Sequence, residues 1–495
     1  MLDKVNLKKT MMDPEYKQLT KSLKHELNLL QHAVKERGLP VIVLFEGWGT
    51  AGKGSMISDI ILNLDPRNFK VHSTVDPTPE EKRKPFLWRH WTRVPPKGLF
   101  AFFDRSWYPE VSAARLEEKM EDEEYLRRIA SIQTFERQLT DNGTVLIKFF
   151  LHLSQKEQAK RLQRLEKNAD TAWRATKLDW KRNERYSRYF EAFDDMLTRT
   201  DTSWAPWHII SAQDHNSARA EVYQTLVETL QGAVEAFDRR KTEAQPFVTA
   251  DPGPFTFVKA PALEEVRLDM TVEEEEYKAL LKKFQKKLEK LHNRIYFRRI
   301  PVIVVYEGWD AAGKGGNIRR IAAALDPRGY EVVPIAAPTP AELAHHYLWR
   351  FWRELPKDGH VSIFDRSWYG RVMVERIEGF CTKEEWSRAY REMNEFEKEL
   401  HDWGAVLVKF WLQIDSDEQL RRFTDRQNTP EKQWKITDED WRNREKWDRY
   451  EVAVNEMLQK TSTDFAPWTI IESQDKRFAR LKALKTLIQA IEARL

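Results

Sequence analysis

Residues 300–325 read IPVIVVYEGWDAAGKGGNIRRIAAAL, and this stretch decides the fold. Its first part is an apolar run with the length of a buried strand, and its last part has the pattern of a helix. Between them, Gly308-Trp-Asp-Ala-Ala-Gly313-Lys314 satisfies G-x4-G-K. This order predicts a phosphate-binding loop, because turn amides and a helix N-terminus converge on an anion while the lysine adds charge. The alternative is an ordinary turn with an exposed lysine.

The serine or threonine that usually follows this lysine and coordinates Mg²⁺ is replaced by Gly315. Two carboxylates could hold the ion instead, Asp310 inside the loop and Asp365 at the end of the apolar run VSIF. Mg²⁺, for which Mn²⁺ could substitute, prefers carboxylate oxygens completed by water and phosphate. The sequence therefore predicts a metal site at the two aspartates, the alternative being that each only caps its loop or helix.

The phosphate loop occurs twice in the chain. EGWGTAGKG begins at Glu46 and EGWDAAGKG at Glu307, while FLWRHW begins at Phe86 and YLWRFW at Tyr347, so both pairs are 261 residues apart (307 − 46 and 347 − 86). Tryptophan pairs with the same offset account for 14 of the 19 tryptophans. A period of this length indicates a duplicated domain rather than a solenoid.

Four prolines between residues 246 and 261 predict an extended linker between the copies. We therefore predict a first domain at 1–240, a linker at 241–261 and a second domain at 262–495. Each copy begins with an amphipathic helical pattern, over 16–36 and 277–298.

Short apolar runs then alternate with helical patterns. In the second copy the predicted strands are 302–306, 331–335, 361–364, 405–412 and 468–472. Runs that are apolar throughout are typical of strands buried on both faces. The predicted fold class is α/β, a doubly wound parallel sheet flanked by helices and duplicated in tandem.

The composition indicates folded domains and no dominant electrostatic partner. At 495 residues, with 41% hydrophobic residues, the chain exceeds one core and can bury two. The formal net charge of +4 is small against 82 Lys+Arg and 78 Asp+Glu, so local clusters must hold any anion. Because the basic residues do not form a separate stripe, we expect no nucleic-acid partner.

Cysteine usage and hydropathy indicate a cytoplasmic protein. The single cysteine, Cys381, cannot form an intramolecular disulfide, which fits a reducing compartment. The N-terminal stretch is charged from its third residue, and the longest apolar runs are of strand length. We therefore expect no membrane span.

A series of motifs follows the second phosphate loop: EGWDAAGKGG, TP, YLWRFW, FDRSWYGRVMVERIEGF, EQLRRFTDR, WK, DW and APWTIIESQDK. The series resembles the polyphosphate kinase 2 family, P-loop enzymes related to thymidylate kinase that move phosphoryl groups between inorganic polyphosphate and nucleotides. The resemblance covers nearly all of both copies and implies a P-loop kinase-like fold with a helical lid in each. Two fused copies are similar to the class II architecture of the family, which implies phosphorylation of AMP to ADP by polyphosphate.

The resemblance assigns roles to matching residues. The implied catalytic residues are Asp310, Lys314, Asp365, Arg366, Arg371, Glu375 and Arg426. The implied phosphate-binding residues are Gly308, Gly313, Lys314, Gly315, Arg366, Arg422 and Arg426. The two aspartates would bind the metal, Arg371 and Glu375 would line the acceptor side, and Arg426 would close from the lid. Such a site aligns donor and acceptor and neutralises charge without a nucleophilic side chain.

Basic residues cluster after the fourth strand of the second copy, but interleaved acids make a solvated helix face the alternative for most of them. Only Arg422 and Arg426, four residues apart on one helix face, are predicted to act from the lid. The aromatic residues nearby, Trp434, Trp441 and Trp447, are expected to pack in the core rather than stack on a base. His345 and His346 are expected at the surface.

The two copies differ at the predicted site. The first retains Lys53, Asp104 and Arg105, but the equivalents of Asp310, Gly370, Arg371, Glu375 and Arg426 are Gly49, Pro109, Glu110, Ala114 and Leu165. A metal ligand, two cations and a carboxylate are thus replaced together, and Glu110 would repel a phosphate chain. We therefore expect only the second copy to catalyse the reaction, with the first supporting it or guiding polyphosphate.

Other functions remain compatible with the residues alone. A phosphate loop contacts phosphates rather than the base, so an ATP-dependent nucleotide or nucleoside kinase would use the same loop. Polyphosphate-driven conversion of ADP to ATP is a second alternative, and a polyphosphate- or nucleotide-binding regulator without turnover is a third. The oligomeric state is open, since a homo-oligomer and a pseudo-dimer of the repeats both fit.

Overall fold

A computed structural model of the chain describes residues 1–242 and 247–495. The chain forms two compact units. The first contains Met1–Pro77, Arg89–Pro246 and Pro340–His346, and the second contains Thr78–Trp88, Phe247–Thr339 and Tyr347–Leu495. Each unit thus includes a short stretch from the other sequence repeat. The predicted domains, 1–240 and 262–495, were continuous and assigned no such stretch to the other repeat.

Each unit contains a five-stranded parallel sheet. The strands of the first are β1 (Val41–Gly47), β2 (Phe69–Ser73), β3 (Phe100–Asp104), β4 (Val145–His152) and β5 (Trp207–Ser211), in the order β2-β3-β1-β4-β5. Those of the second are β6 (Val302–Gly308), β7 (Tyr330–Pro334), β8 (Val361–Asp365), β9 (Val406–Gln413) and β10 (Trp468–Glu472), in the order β10-β9-β6-β8-β7. The predicted α/β fold and its duplication are confirmed.

Helices flank both sheets. In the first repeat they are α1 (Asp13–Arg37), α2 (Lys53–Ile61), α3 (Trp88–Trp91), α4 (Ala113–Glu118), α5 (Asp122–Asp141), α6 (Gln155–Glu166), α7 (Lys177–Glu184), α8 (Tyr186–Thr200) and α9 (His215–Thr242). In the second they are α10 (Glu274–Arg298), α11 (Lys314–Ala322), α12 (Pro340–Leu343), α13 (Trp349–Arg353), α14 (Val374–Glu378), α15 (Lys383–Asp402), α16 (Ser416–Asn428), α17 (Asp438–Glu445), α18 (Trp447–Thr461) and α19 (Lys476–Arg494).

The core lies along the central strands. Residues 302–306 of β6 are completely buried between β8 and β9, as the continuous apolar run predicts. Because all strands are parallel, their carboxyl ends meet at one edge of the sheet. At that edge the last residue of β8, Asp365, pairs with Tyr306, two residues before the end of β6. The phosphate loop and Asp365 therefore lie at neighbouring strand ends.

The predicted linker, 241–261, falls partly outside the described residues, at 243–246. From 247 to 262 the described chain contains no helix, as the prolines predict. Hydrogen bonds fix this stretch within the second unit: Val258 N donates to Ser462 O at 2.7 Å, and Asn394 Nδ2 donates to Pro252 O at 2.9 Å. The stretch therefore packs as part of the second unit.

Two predictions about exposure are wrong. His346 is 2% exposed, and its ring packs 5.5 Å from that of Trp91 within the first unit. Trp434, expected in the core, is 76% exposed.

Among the described residues, no helix is both long and apolar enough to span a membrane.

Candidate active site

The phosphate loop of the second unit folds around its own lysine. Lys314 begins α11, and its Nζ donates to the carbonyl oxygens of Gly308 at 2.6 Å and of Trp309 at 3.2 Å. Gly308 has φ +147°, and a Cβ there would lie 2.7 Å from the backbone oxygen of Leu412, so only glycine fits. The residue before α11, its N-cap Gly313, provides no side-chain cap, which leaves the first amides of the helix able to bind an anion.

Asp310 projects from this loop and accepts hydrogen bonds through both carboxylate oxygens. Arg366 Nη2 donates to its Oδ1 at 3.2 Å, and Asn443 Nδ2 donates to its Oδ2 at 3.1 Å. Burial alone would raise the pKa of Asp310, but Lys314, Arg366 and the bond from Asn443 outweigh it and lower that pKa. The carboxylate is therefore ionised at neutral pH, and its side chain is only 16% exposed.

Asp365 ends β8, and Arg366 follows it beside the loop. The backbone oxygen of Asp365 accepts from Ile335 N at 3.0 Å, and Arg366 N donates to Tyr306 O at 3.0 Å. Arg366 adopts φ +65°, an uncommon conformation for a residue other than glycine. Arg105, its equivalent in the first unit, has φ +63°, so both repeats turn the chain sharply at this position.

A buried ion pair anchors the segment that follows Arg366. Lys409 Nζ on β9 lies 2.7 Å from Glu397 Oε2, and both side chains are completely buried. Tyr369 OH donates to Glu397 Oε1 at 2.6 Å, while Lys409 also donates to Thr461 O at 2.7 Å. Such a pair is stable only when fully hydrogen-bonded, as it is here. It fixes the start of the segment that carries Arg371.

Sequence reasoning missed a second anchor, between the ends of β6 and β8. Ser367 Oγ donates to Glu307 Oε1 at 2.7 Å, and both residues are buried. In the first unit Ser106 Oγ donates to Glu46 Oε1 at 2.8 Å. Because both residues recur at the constant offset, the repeat comparison could have found the pair.

Arg371 and Glu375, predicted on the acceptor side, form an ion pair of 3.0 Å. The guanidinium of Arg371 also lies 4.6 Å from the ring centre of Tyr347. Burial raises the pKa of Glu375, and Arg371 and Arg350 only partly oppose this rise. The predicted acceptor side therefore contains a cation that is only 15% exposed and is backed by an aromatic ring, an arrangement suited to a phosphate group.

Helices α16, α17 and α18 contact the phosphate loop; we call these three helices the lid, after the role expected for α16. Trp447 stacks on Trp309 with ring centres 3.7 Å apart and planes at 9°. Gln419 Nε2 donates to Asp310 O at 3.1 Å. Asn443, which the sequence did not single out, accepts from Tyr450 OH at 3.3 Å while its amide nitrogen faces Asp310. The uncharged side-chain amides of Gln419 and Asn443, which belong to no known motif, thus join the lid to the loop.

Arg422 differs from its predicted role as a phosphate ligand. Its side chain is 4% exposed, and each of its guanidinium nitrogens donates to a protein oxygen: Glu418 Oε1, Ala311 O and Ser473 O at 2.5, 3.0 and 2.7 Å. Arg161, its equivalent in the first repeat, donates to Thr50 O and Ala212 O at 3.2 and 2.7 Å. The geometry makes Arg422 a support of the loop. Arg426 lies in the last turn of α16 and is partly exposed.

The phosphate loop of the first unit keeps its backbone but has different surroundings. Lys53 Nζ donates to the oxygens of Gly47 and Trp48, both at 3.0 Å. A Cβ at Gly49 would lie 2.9 Å from Asp179 Oδ1, so a carboxylate from α7 occupies the space that a side chain at residue 49 would need. Glu110, the equivalent of Arg371, forms an ion pair of 2.7 Å with Arg128.

The donor set of the second unit fits a magnesium ion whose remaining ligands are water and phosphate. Among the described residues, no group of three or more His, Cys, Asp or Glu side chains could hold a metal alone. Asp310 is an ionised carboxylate beside the loop, and Asp365 ends the neighbouring strand. A Cβ at Gly315 would meet nothing within 4 Å, which leaves room beside the helix N-terminus.

Comparisons with known proteins agree with this architecture. A polyphosphate:AMP phosphotransferase of Pseudomonas aeruginosa is 43% identical over 481 residues, 97% of this chain and 96% of that protein. Another, from Acinetobacter johnsonii, is 37% identical over 458 residues, 92% and 91% of the two chains. A solved structure assigned to polyphosphate kinase 2 from Pseudomonas aeruginosa PA01 is 40% identical, with a TM-score of 0.86, covering 100% of this chain and 99% of that one. The family model described as Polyphosphate kinase 2 matches residues 10–238 and 271–495, and the chain belongs to this family.

Proposed function

We propose that the chain is a polyphosphate-dependent phosphotransferase that converts AMP to ADP and that the second unit contains its active site. The reaction transfers the terminal phosphoryl group of polyphosphate to AMP and leaves a chain one phosphate shorter. Two relatives that match over almost their whole length have names that give this reaction.

An oxygen of the AMP phosphate is the attacking atom. It is already ionised at neutral pH, so no general base is required. A bond forms between this oxygen and the terminal phosphorus of polyphosphate, and the bond from that phosphorus to the bridging oxygen breaks. The shortened chain keeps the electron pair as an additional negative charge.

The side chains around the loop hold the donor and neutralise its charge. Lys314 and Arg366 bind oxygens of the transferred group, and loop amides bind the adjacent phosphate. Mg²⁺, which Asp310 and Asp365 would hold, supplies further neutralisation of these oxygens when it is bound. Arg371 orients the AMP phosphate, and its ion pair with Glu375 at 3.0 Å keeps it in place before AMP arrives.

The difference between the two repeats carries this proposal. Both keep the loop lysine, the strand-end aspartate and the arginine that follows it. Only the second repeat also has a carboxylate in the loop, Asp310, and a cation on the acceptor side, Arg371. In the first repeat, Gly49 lies beside Asp179, and Glu110 is paired with Arg128. A polyphosphate chain requires a cation where the first repeat presents the carboxylate of Glu110.

The direct test incubates the protein with Mg²⁺ and AMP, supplies either long-chain polyphosphate or ATP, and measures ADP by chromatography. We expect ADP with polyphosphate and little with ATP. ADP formation with ATP alone would overturn the donor assignment. A parallel reaction with ADP as acceptor tests the acceptor, and ATP formed faster than ADP would overturn AMP as the substrate.

A cytoplasmic location is proposed with this function, because polyphosphate and adenine nucleotides are both present there. Fractionation of cells that express the tagged chain tests it, and recovery with membranes would contradict it.

A further inference from the structure

The second unit contains eleven residues from the first repeat, Thr78–Trp88. This stretch lies between β2 and α3 in the sequence, yet it packs with residues that precede β8. Its contacts are specific and can be followed to the proposed active site.

Arg83 and Asp358, both in the second unit, form the main contact. Arg83 Nε lies 2.6 Å from Asp358 Oδ1, and Arg83 Nη2 donates to Asp358 O at 2.6 Å. The backbone of Asp358 returns a bond, since its N donates to Arg83 O at 2.9 Å. The two side chains are only 28% and 17% exposed, which limits screening by solvent. Lys84 Nζ adds a hydrogen bond to Leu355 O.

The first unit contains the equivalent backbone contact. There Lys97 N donates to Ala344 O at 2.7 Å. Ala344 is 261 residues after Arg83, and Asp358 is 261 residues after Lys97. The same packing therefore occurs twice within one chain, so it is a property of the fold. The ion pair does not recur, because alanine and lysine occupy its positions in the first unit.

Asp358 lies in the turn between α13 and β8. The neighbouring residue His360 accepts from Val302 N at 3.0 Å, and Val361 N donates to Gly329 O at 2.9 Å. Val361 begins β8, whose residues pair one by one with β6 up to Asp365. A displacement of the turn would therefore shift the strand that places Asp365 and Arg366.

We propose that Thr78–Trp88 of the first repeat is a positioning element of the active site in the second unit, with Arg83 and Lys84 holding the turn 354–360. The part concerning activity rests on the proposed function. The first repeat, although it lacks a complete site of its own, supplies a segment that the catalytic unit requires. Arg83 is a positioning residue, since it acts through Asp358 and β8.

The test uses the full-length chain with Arg83→Ala, Asp358→Asn and the reversed pair Arg83→Asp/Asp358→Arg. Lys82→Ala is the matched control, because Lys82 is an exposed basic residue in the same stretch. Hydrogen exchange of the amides in 354–365 and kcat and KM with AMP and polyphosphate are measured for each. We expect exchange about tenfold faster in the two single variants and kcat/KM about tenfold lower, mainly through kcat, since small misplacements of catalytic groups are costly.

The reversed pair should recover most of both losses, whereas a general loss of folding would not be rescued. The proposal would be overturned if the Arg83→Ala protein had the same amide exchange rates and the same kcat/KM as Lys82→Ala. It would also be overturned if the losses in kcat/KM of the two single variants were additive in Arg83→Ala/Asp358→Asn. If the unmodified protein does not phosphorylate AMP from polyphosphate, the proposed function fails. Hydrogen exchange then decides the structural role on its own.

Discussion

Arg366 Nη2 donates to Asp310 Oδ1 at 3.2 Å, which joins the residue after β8 to the phosphate loop after β6. Arg366 is half exposed while Asp310 is only 16% exposed, so the carboxylate is held inside the site and the cation borders solvent. In the first repeat the arginine remains as Arg105, but Gly49 offers it no carboxylate. Both phosphate loops have the lysine, but only the second has this pair of arginine and aspartate.

Restoring the missing aspartate in the first repeat should not restore a site. In Gly49→Asp the new side chain would meet Asp179 Oδ1, 2.9 Å from its Cβ, and two carboxylates would repel each other. We expect a free energy of unfolding lower by ~1–3 kcal/mol in urea denaturation and unchanged turnover. Gly49→Asp/Asp179→Asn should recover part of the stability. A stable Gly49→Asp protein with doubled turnover would contradict this account.

Arg422 and Arg426 should separate into a structural and a functional residue. Arg422→Ala removes a side chain that is only 4% exposed, the four hydrogen bonds that its guanidinium donates and the closest cation to Glu418, so we expect a loss of about 3 kcal/mol in stability. Arg426→Ala should leave stability within ~0.5 kcal/mol and lower kcat. Thermal unfolding and steady-state kinetics measure both effects. Arg161→Ala is the control, which should lose stability but not activity. A stable Arg422→Ala protein would refute the structural role.

Asn443 should matter for turnover although it carries no charge. Asn443→Ala removes the bond from the lid to Asp310 Oδ2, and we expect a kcat about tenfold lower. Asn443→Asp should lose more, because it places a second carboxylate beside Asp310. Arg182→Ala is the matched variant in the first repeat, where the side chain pairs with Glu117 at 2.8 Å, and should leave kcat unchanged. Equal rates for Asn443→Ala and Arg182→Ala would exclude this role.

The sequence predicted the sheet and the loop better than the surroundings of the loop. Strands 302–306 and 361–364 were found within a few residues because continuous apolar runs at strand length have few alternatives. The burial of Arg422 was not predicted, because a spacing of four residues shows that two side chains share a helix face, but not that one of them is buried. The role of Asn443 could not be predicted from the sequence, because a neutral side-chain amide belongs to no motif and its role depends on which oxygen it contacts in the fold.

Lys53 should make stability depend on pH. Burial, with the charge of Arg105, lowers its pKa to about 8 in the folded protein, from 10.5 for an unperturbed lysine. Between these values the unfolded chain binds more protons, so the free energy of unfolding rises with pH through that window. Between pH 7.5 and pH 10.5, the free energy of unfolding of the unmodified protein should rise by up to about 3 kcal/mol more than that of Lys53→Met. Urea denaturation across this range measures the difference, and a constant difference would show that Lys53 is not perturbed.

The central claim is that one of the two phosphate loops catalyses the reaction. Turnover of AMP with polyphosphate and Mg²⁺ in Lys53→Ala and Lys314→Ala tests it most directly. We predict that Lys314→Ala lowers kcat by ~10³ or more, because its cation neutralises the transferred group, while Lys53→Ala turns over almost like the unmodified protein. Equal losses in the two variants would contradict the account.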